Sequence, residues 1–252
     1  MISIKSDYEI SLMRKAGNIV YKTHQYLKPF VKPGITTKEL DKLAYDYIIS
    51  QGATPSFLNY DGFPGTICIS INDEVVHGIP GKRIIKDGDI VKLDIGACWK
   101  GYHGDSAWSY AVGNVSEDIK YLMEHTEAAL FKGLEQVKPG NHIGDIGAAI
   151  EEYATAHNLG IVRELVGHGI GNNVHEKPDV PNYGKKGTGP VLKKGMCIAV
   201  EPMLNLGTQE IYILDDDWTI ITQDGLPSAH FEHSVVVTED GYRILTGDDN
   251  FE

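Results

Sequence analysis

The sequence predicts an α+β fold in which a central antiparallel sheet is covered by helices and built as two similar halves about a pseudo-twofold axis. Three observations predict it. Capped amphipathic helices open each half, β-patterned segments follow them, and the chain repeats its landmarks once in order.

The first helix opens at the capping box Ser6-x-x-Glu9 and carries Ile10, Met13, Gly17, Val20 and Leu27 near helical spacing. Pro29 ends it. A second helix opens at Thr36-x-x-Glu39, buries Leu40, Leu43, Ala44, Tyr47 and Ile48, and stops before Gly52. "TICISIN" (66–72), "DIVKLDIGA" (89–97) and the segment 102–112 read as strands. After Ser116 comes a long helix with Glu117 and Asp118 in its first turn, where acids suit the helix dipole. A fourth helix is expected over about 144–158, and strands dominate from Met196 onward.

The repeat decides the architecture. "VKPG" at 31–34 recurs at 137–140, before a helix each time. "IKDGDIVKLD", ending at Asp94, recurs as "LKKGMCIAVE", ending at Glu201, and "HGIP" (77–80) resembles "HGIG" (168–171). Two halves, 1–113 and 114–252, are each too small to bury a sheet alone, so one domain spanning 1–252 is expected. Equivalent residues then meet near the axis, Asp94 with Glu201 and Asp105 with Glu232.

Composition narrows the function. A net charge of -12 repels phosphate backbones and anionic lipid, which argues against direct DNA binding and against membrane association. Three widely spaced cysteines, Cys68, Cys98 and Cys197, form neither a disulfide framework nor a CxxC zinc site, and a reducing cytoplasm fits them. No leader-type apolar run opens the chain, and no later run approaches the length of a membrane span.

The acids then need a reason. Asp94 in "IVKLDIGA", Glu201 in "CIAVEPML" and Glu232 in "HFEHSVVV" stand where buried strands expect Val or Ile. With "CWKG" as an even-length turn, Asp94 and Asp105 would face each other directly across a hairpin, whereas a bulge near Gly101 or Gly104 would shift this by one residue. Opposed buried carboxylates are costly unless a cation lies between them. Four carboxylates balance two divalent ions, and His168 in "ELVGHGIG" adds one imidazole. An oxygen-rich set of this kind suits Mn²⁺, Fe²⁺ or Co²⁺ better than a thiolate or multi-histidine zinc site. A pair of such ions lowers the pKa of a shared water toward neutrality, which is hydrolase chemistry.

The ordered set "VKLDIGA", "GYHGDSA", "GHGIGNNVHEKP", "AVEPML" and "HFEHSVVVT" resembles the type I methionine aminopeptidases of the bacterial kind, over essentially the whole chain and without an N-terminal extension. The resemblance implies the duplicated "pita-bread" fold shared with creatinase. It implies a metallo-exopeptidase that removes initiator methionine from nascent polypeptides, with a small second residue preferred. Asp94, Asp105, His168, Glu201 and Glu232 are then the metal ligands of two divalent ions, with Asp105 and Glu232 bridging. His77 and His175 contact substrate and act in catalysis, with Glu201 handling a proton. Tyr60, Phe63, Cys68 and Trp218 match the family's methionine pocket, where Phe63 replaces a frequent tyrosine and Val174 a frequent aromatic. Asn72, Glu74 and Ser228 lie where some relatives hold a monovalent cation. The other histidines, His230 among them, are read as surface or packing residues. The alternatives are an Xaa-Pro aminopeptidase or prolidase-like peptidase of the same fold, and a non-catalytic peptide-binding relative. A monomer is expected, with transient ribosome association left open.

Overall fold

The structure, a computed structural model, describes residues 2–248. The first half runs α1 (Asp7–Leu27), α2 (Thr37–Ser50), β1 (Thr54–Pro55), β2 (Cys68–Ile71), β3 (Glu74–Val76), β4 (Ile90–Trp99) and β5 (Tyr102–Ala111). The second runs α3 (Glu117–Leu134), α4 (Ile143–Ala156), β6 (Gly160–Ile161), β7 (Gly167–Gly169), β8 (Glu176–Val180) and β9 (Cys197–Val200). It continues with β10 (Met203–Asn205), β11 (Ile211–Ile213), β12 (Ile220–Thr222), β13 (Ser228–His230), β14 (His233–Val237) and β15 (Tyr242–Ile244). Both predicted capping boxes are formed, at Ser6/Glu9 and Thr36/Glu39. Among the described residues no helix is long and apolar enough to cross a membrane.

Every ladder pairing is antiparallel. In the first half β4 lies between β5 on one edge and β1 and β2 on the other; in the second, β9 lies between β14 and β7. The sequence repeat recurs in the backbone. Gly34 and Gly140 both take positive φ, 99° and 89°, and their amides donate to Ile85 O and Leu192 O. Thr36 bridges to Ile84 as His142 bridges to Val191. The "HGIP"/"HGIG" resemblance is the exception. "HGIG" begins in β7, the counterpart of β2, whereas "HGIP" follows β3, so the two tetrapeptides are not structural equivalents.

Helix α1 packs directly on β5. A Cβ on Gly104 would come 2.6 Å from Gly17 N, and one on Gly17 would come 2.2 Å from Leu245 O. These two glycines set the depth at which β5 carries Asp105. The apolar cores form under the helices of each half, around Leu40, Ile69 and Leu93 in one and Leu130, Ile146 and Ile198 in the other. Between the halves the strands are joined by hydroxyls. Ser106 Oγ donates to Glu232 O, 2.7 Å, and Ser109 Oγ to His230 O, 2.8 Å. Ser234 Oγ donates to Asp105 O, 2.7 Å, and accepts from Asp105 N, 3.1 Å. The Glu232 amide also donates to Ala107 O, 2.9 Å.

Candidate active site

The β4–β5 hairpin differs from the expected register. Its turn is the two-residue Lys100-Gly101, both at positive φ (51° and 82°), so Asp94 pairs with Ala107 and Asp105 with Gly96. This is the geometry of a type I′ turn, which matches strand twist and needs no bulge. Asp94 and Asp105 therefore share a face as diagonal neighbours. Opposite Asp105 stands Gly96, where a Cβ would come 2.7 Å from Phe57 and Ser56.

The second half brings its own donors to this face. His168 lies in β7, Glu201 just after β9, and Glu232 between β13 and β14. His168 Nε2 is 3.5 Å from Glu201 Oε1 and 3.8 Å from Asp105 Oδ2. His168 Nδ1 lies 2.9 Å from Gly169 O, and since a carbonyl only accepts, Nδ1 carries the proton. Nε2 is thereby left with its lone pair toward the acids.

Burial and mutual repulsion drive protons onto these carboxylates. Desolvation raises Asp94 to about 6 and Glu201 to about 8. Asp105 and Glu232 are pushed well above the usual range by burial first and then by neighbouring acids. The histidines move the opposite way, with burial lowering His168 to about 3 and His77 and His230 to about 4. Asp94 Oδ1, Asp105 Oδ1 and Glu232 Oε1 are buried without a hydrogen-bond partner. Orphaned carboxylate oxygens in an enclosure lacking positive charge are what a cation site presents. Asp105, His168 and Glu232 place donor atoms within 4.8 Å of one another, as do Glu201, His230 and Glu232. The donor set fits divalent ions.

These acids form the floor of a cavity of about 240 Å³. Its walls bring together Tyr60, Phe63, Cys68, His77, His175 and Trp218, with Phe57 and Asp61 added. Phe63 meets Trp218 edge to face at 5.1 Å, and buried Val174 packs in the same cluster with Phe57 and Cys68. Burial holds the Cys68 thiol well above its ordinary pKa, so it is a neutral wall. His77 sits at φ 60°, a left-handed conformation that costs a non-glycine residue about 1 kcal/mol, with its ring 6.3 Å from that of Trp218. His175, at the mouth, places Nδ1 2.9 Å from Tyr60 Oη.

One sequence expectation changes and another is narrowed. The carbonyls of Asn72 and Ser228, expected to hold a monovalent cation, accept instead from Lys92 Nζ, at 2.7 and 3.0 Å. Lys92 is 1 % exposed, and Glu74 is engaged elsewhere, by the Ile71 amide and by Arg83. The Lys92 amino group occupies the place between these carbonyls. For His230, read as a surface or packing residue, the packing alternative holds: it is buried, beside Glu201. For Lys92 the period-2 spacing along β4 gives a signal, since 92 shares a face with 94, whereas Glu232 lies beyond the end of β13 and no strand rule joins it to 230.

Comparison with known proteins places the chain among metallopeptidases. The model of metallopeptidase family M24 matches residues 11–239. Methionine aminopeptidase 1 of Bacillus subtilis is 53% identical over 246 residues, covering 98% of this chain and 99% of that protein. The crystal structure of methionine aminopeptidase from Rickettsia prowazekii superposes with a TM-score of 0.97 at 44% identity, covering 98% of this chain and 100% of that one. An Xaa-Pro dipeptidase from Bacillus anthracis shares the fold at a TM-score of 0.78 and 26% identity, covering 97% of this chain but 62% of its own.

Proposed function

The chain belongs to metallopeptidase family M24, and from that premise we propose that it removes the N-terminal methionine from nascent polypeptides, with both halves acting as one catalytic domain. The observation that carries this reading is the cluster of buried, partnerless carboxylate oxygens at the floor of an aromatic cavity. Near-full-length similarity to methionine aminopeptidases supports the substrate.

Asp94, Asp105, His168, Glu201 and Glu232 would hold divalent ions, which supply Lewis acidity and lower the pKa of water toward neutrality. We take Mn, Fe or Co as the occupants because oxygen donors dominate the set. The residues around them divide the remaining work. Phe63, Trp218, Cys68 and Val174 enclose an unbranched thioether without offering it a charge. Phe57 and Tyr60 complete that wall. With the Tyr60 hydroxyl donating to Nδ1, His175 keeps its proton on Nε2 and donates it toward the substrate carbonyl. His77, neutral at pH 7 and held by the strand end after β3, contacts the peptide beyond the scissile bond. Glu201 takes and returns the proton that moves in hydrolysis at its carboxylate. The finer expectations of a small second residue, a cytoplasmic monomer and action at the ribosome rest on the family resemblance.

The test is cleavage of a Met-Ala-Ser peptide by chelator-stripped protein resupplied with Mn²⁺, Fe²⁺ or Co²⁺. Release of free methionine supports the reading. No release with any of these ions overturns it, and cleavage of an Xaa-Pro peptide in its place selects the prolidase-like alternative.

A further inference from the structure

His230 closes β13 with its imidazole 1 % exposed and neither ring nitrogen hydrogen-bonded. A buried imidazole without a partner gives up its hydration for nothing, and native structures rarely leave one so. Its nearest acid is Glu201, whose Oε2 lies 3.6 Å from His230 Nε2. That separation is too long for a hydrogen bond. It is the separation left by two donors of one ion: with donor–ion distances of about 2.0–2.2 Å and angles of 90–120°, donors stand about 3–3.8 Å apart.

His168 stands at the same interval from its acids, 3.5 Å from Glu201 and 3.8 Å from Asp105. The Glu201 carboxylate thus lies between two buried imidazoles, one at each oxygen. A nitrogen of His230 also falls within 4.8 Å of donor oxygens of both Glu201 and Glu232, forming a second three-donor group beside Asp105, His168 and Glu232. The backbone holds His230 at this place from both sides. Ser109 Oγ donates to its carbonyl and accepts from its amide, at 2.8 and 3.1 Å.

We propose that His230 is a further metal donor of this centre, supplying an imidazole nitrogen on the Glu201–Glu232 side. The proposal rests on the metallopeptidase reading. It turns a set with one nitrogen into a set with two. A second imidazole favours Co²⁺ and Fe²⁺ over Mn²⁺, because nitrogen donors add more to ions later in the divalent series.

The experiment titrates Co²⁺ and Mn²⁺ separately into chelator-stripped wild-type, His230→Gln, His230→Leu and Asp105→Asn proteins, by calorimetry and by the visible absorption of Co²⁺. Loss of a donor should weaken one equivalent of Co²⁺ by about tenfold or more in both His230 variants. The Co²⁺ band should shift with it, and Mn²⁺ should be affected less. A measurement on the wild-type protein guards against misfolded variants: the Co²⁺-loaded form should show two paramagnetically shifted imidazole N–H resonances from ligating histidines. One such resonance, or unchanged affinity and spectrum in His230→Leu, overturns the proposal. If wild type binds Co²⁺ and Asp105→Asn does not, the metal centre stands whatever the fate of His230. If wild type binds neither ion, the metallopeptidase reading fails first.

Discussion

Lys92 on β4 reaches across the molecule to Ser228 on β13, its Nζ donating to the Ser228 carbonyl at 3.0 Å. The same ammonium holds Asn72 O at 2.7 Å, so one side chain ties the strand of Asp94 to the strand that leads to Glu232. Lys92→Met leaves the Ser228 carbonyl without its lysine donor and Asn72 O with the Ser228 amide alone, a loss of about 1–3 kcal/mol. The denaturation midpoint should fall accordingly. Added K⁺ or Na⁺ should restore part of the loss in Lys92→Met and do nothing for wild type. Equal stability of the two proteins in salt-free buffer would contradict the clamp.

Protonation opposes metal uptake. At pH 7 Glu201, at about 8, still holds a proton in the ion-free protein, burial and the neighbouring acids push Asp105 and Glu232 in the same direction, and a ligand must give its proton up. Ion binding should therefore release protons at pH 7, and apparent affinity should rise through pH 8. Calorimetry in buffers of different ionisation enthalpy counts those protons, and a count of zero would oppose this reading.

Stability follows with a definite sign. These carboxyls have folded-state pKa values above their unfolded ones, so their contribution is present at low pH and is lost as pH rises through the folded values. Lys92, lowered to about 7, works against this trend, as do the buried histidines over the lower part of the interval, where their unfolded forms still bind some proton. The melting temperature of stripped protein should fall from pH 7 to 8, and loading with Mn²⁺ should flatten the slope. A stripped protein that grows more stable over that interval would show the acids to be ionised already.

Asp105→Asn and His77→Ala should separate holding from turnover. The amide is nearly isosteric but cannot carry the charge that an ion needs, so Asp105→Asn should lose metal. His77→Ala should bind metal as wild type does and lose about 10²-fold or more in kcat/KM. Metal analysis beside peptide kinetics checks both, and full activity in either variant would overturn the role assigned to that residue.

Ser234 tests the seam. Its hydroxyl serves both the amide and the carbonyl of Asp105. Ser234→Ala strands a buried donor and acceptor, with an expected loss of about 2 kcal/mol or more. Denaturant unfolding measures it, and a change within about 0.5 kcal/mol, the usual range of neutral substitutions, would show the stitch to be dispensable.

Local signals were the legible ones. Capping boxes at Ser6 and Thr36 work within four residues, and carboxylates in apolar strands betray themselves by composition. The hairpin register was not legible, because Lys100 at φ 51° occupies a position that usually signals itself as Asn, Asp or Gly. Lys92 and His230 were missed for another reason. Their neighbours Ser228 and Glu201 come from distant sequence, and only the docking of two halves decides that a lysine meets carbonyls and a histidine meets a glutamate.

The hydroxyl-stitched seam also sets a timetable. Asp94 and Asp105 leave the ribosome in the first half of the chain, whereas His168, Glu201 and Glu232 follow only in the second. Until the second half docks, the early aspartates have neither imidazole nor bridging acid beside them, and no ion can be enclosed. On the metallopeptidase reading, metal capture would follow the synthesis and docking of both repeats.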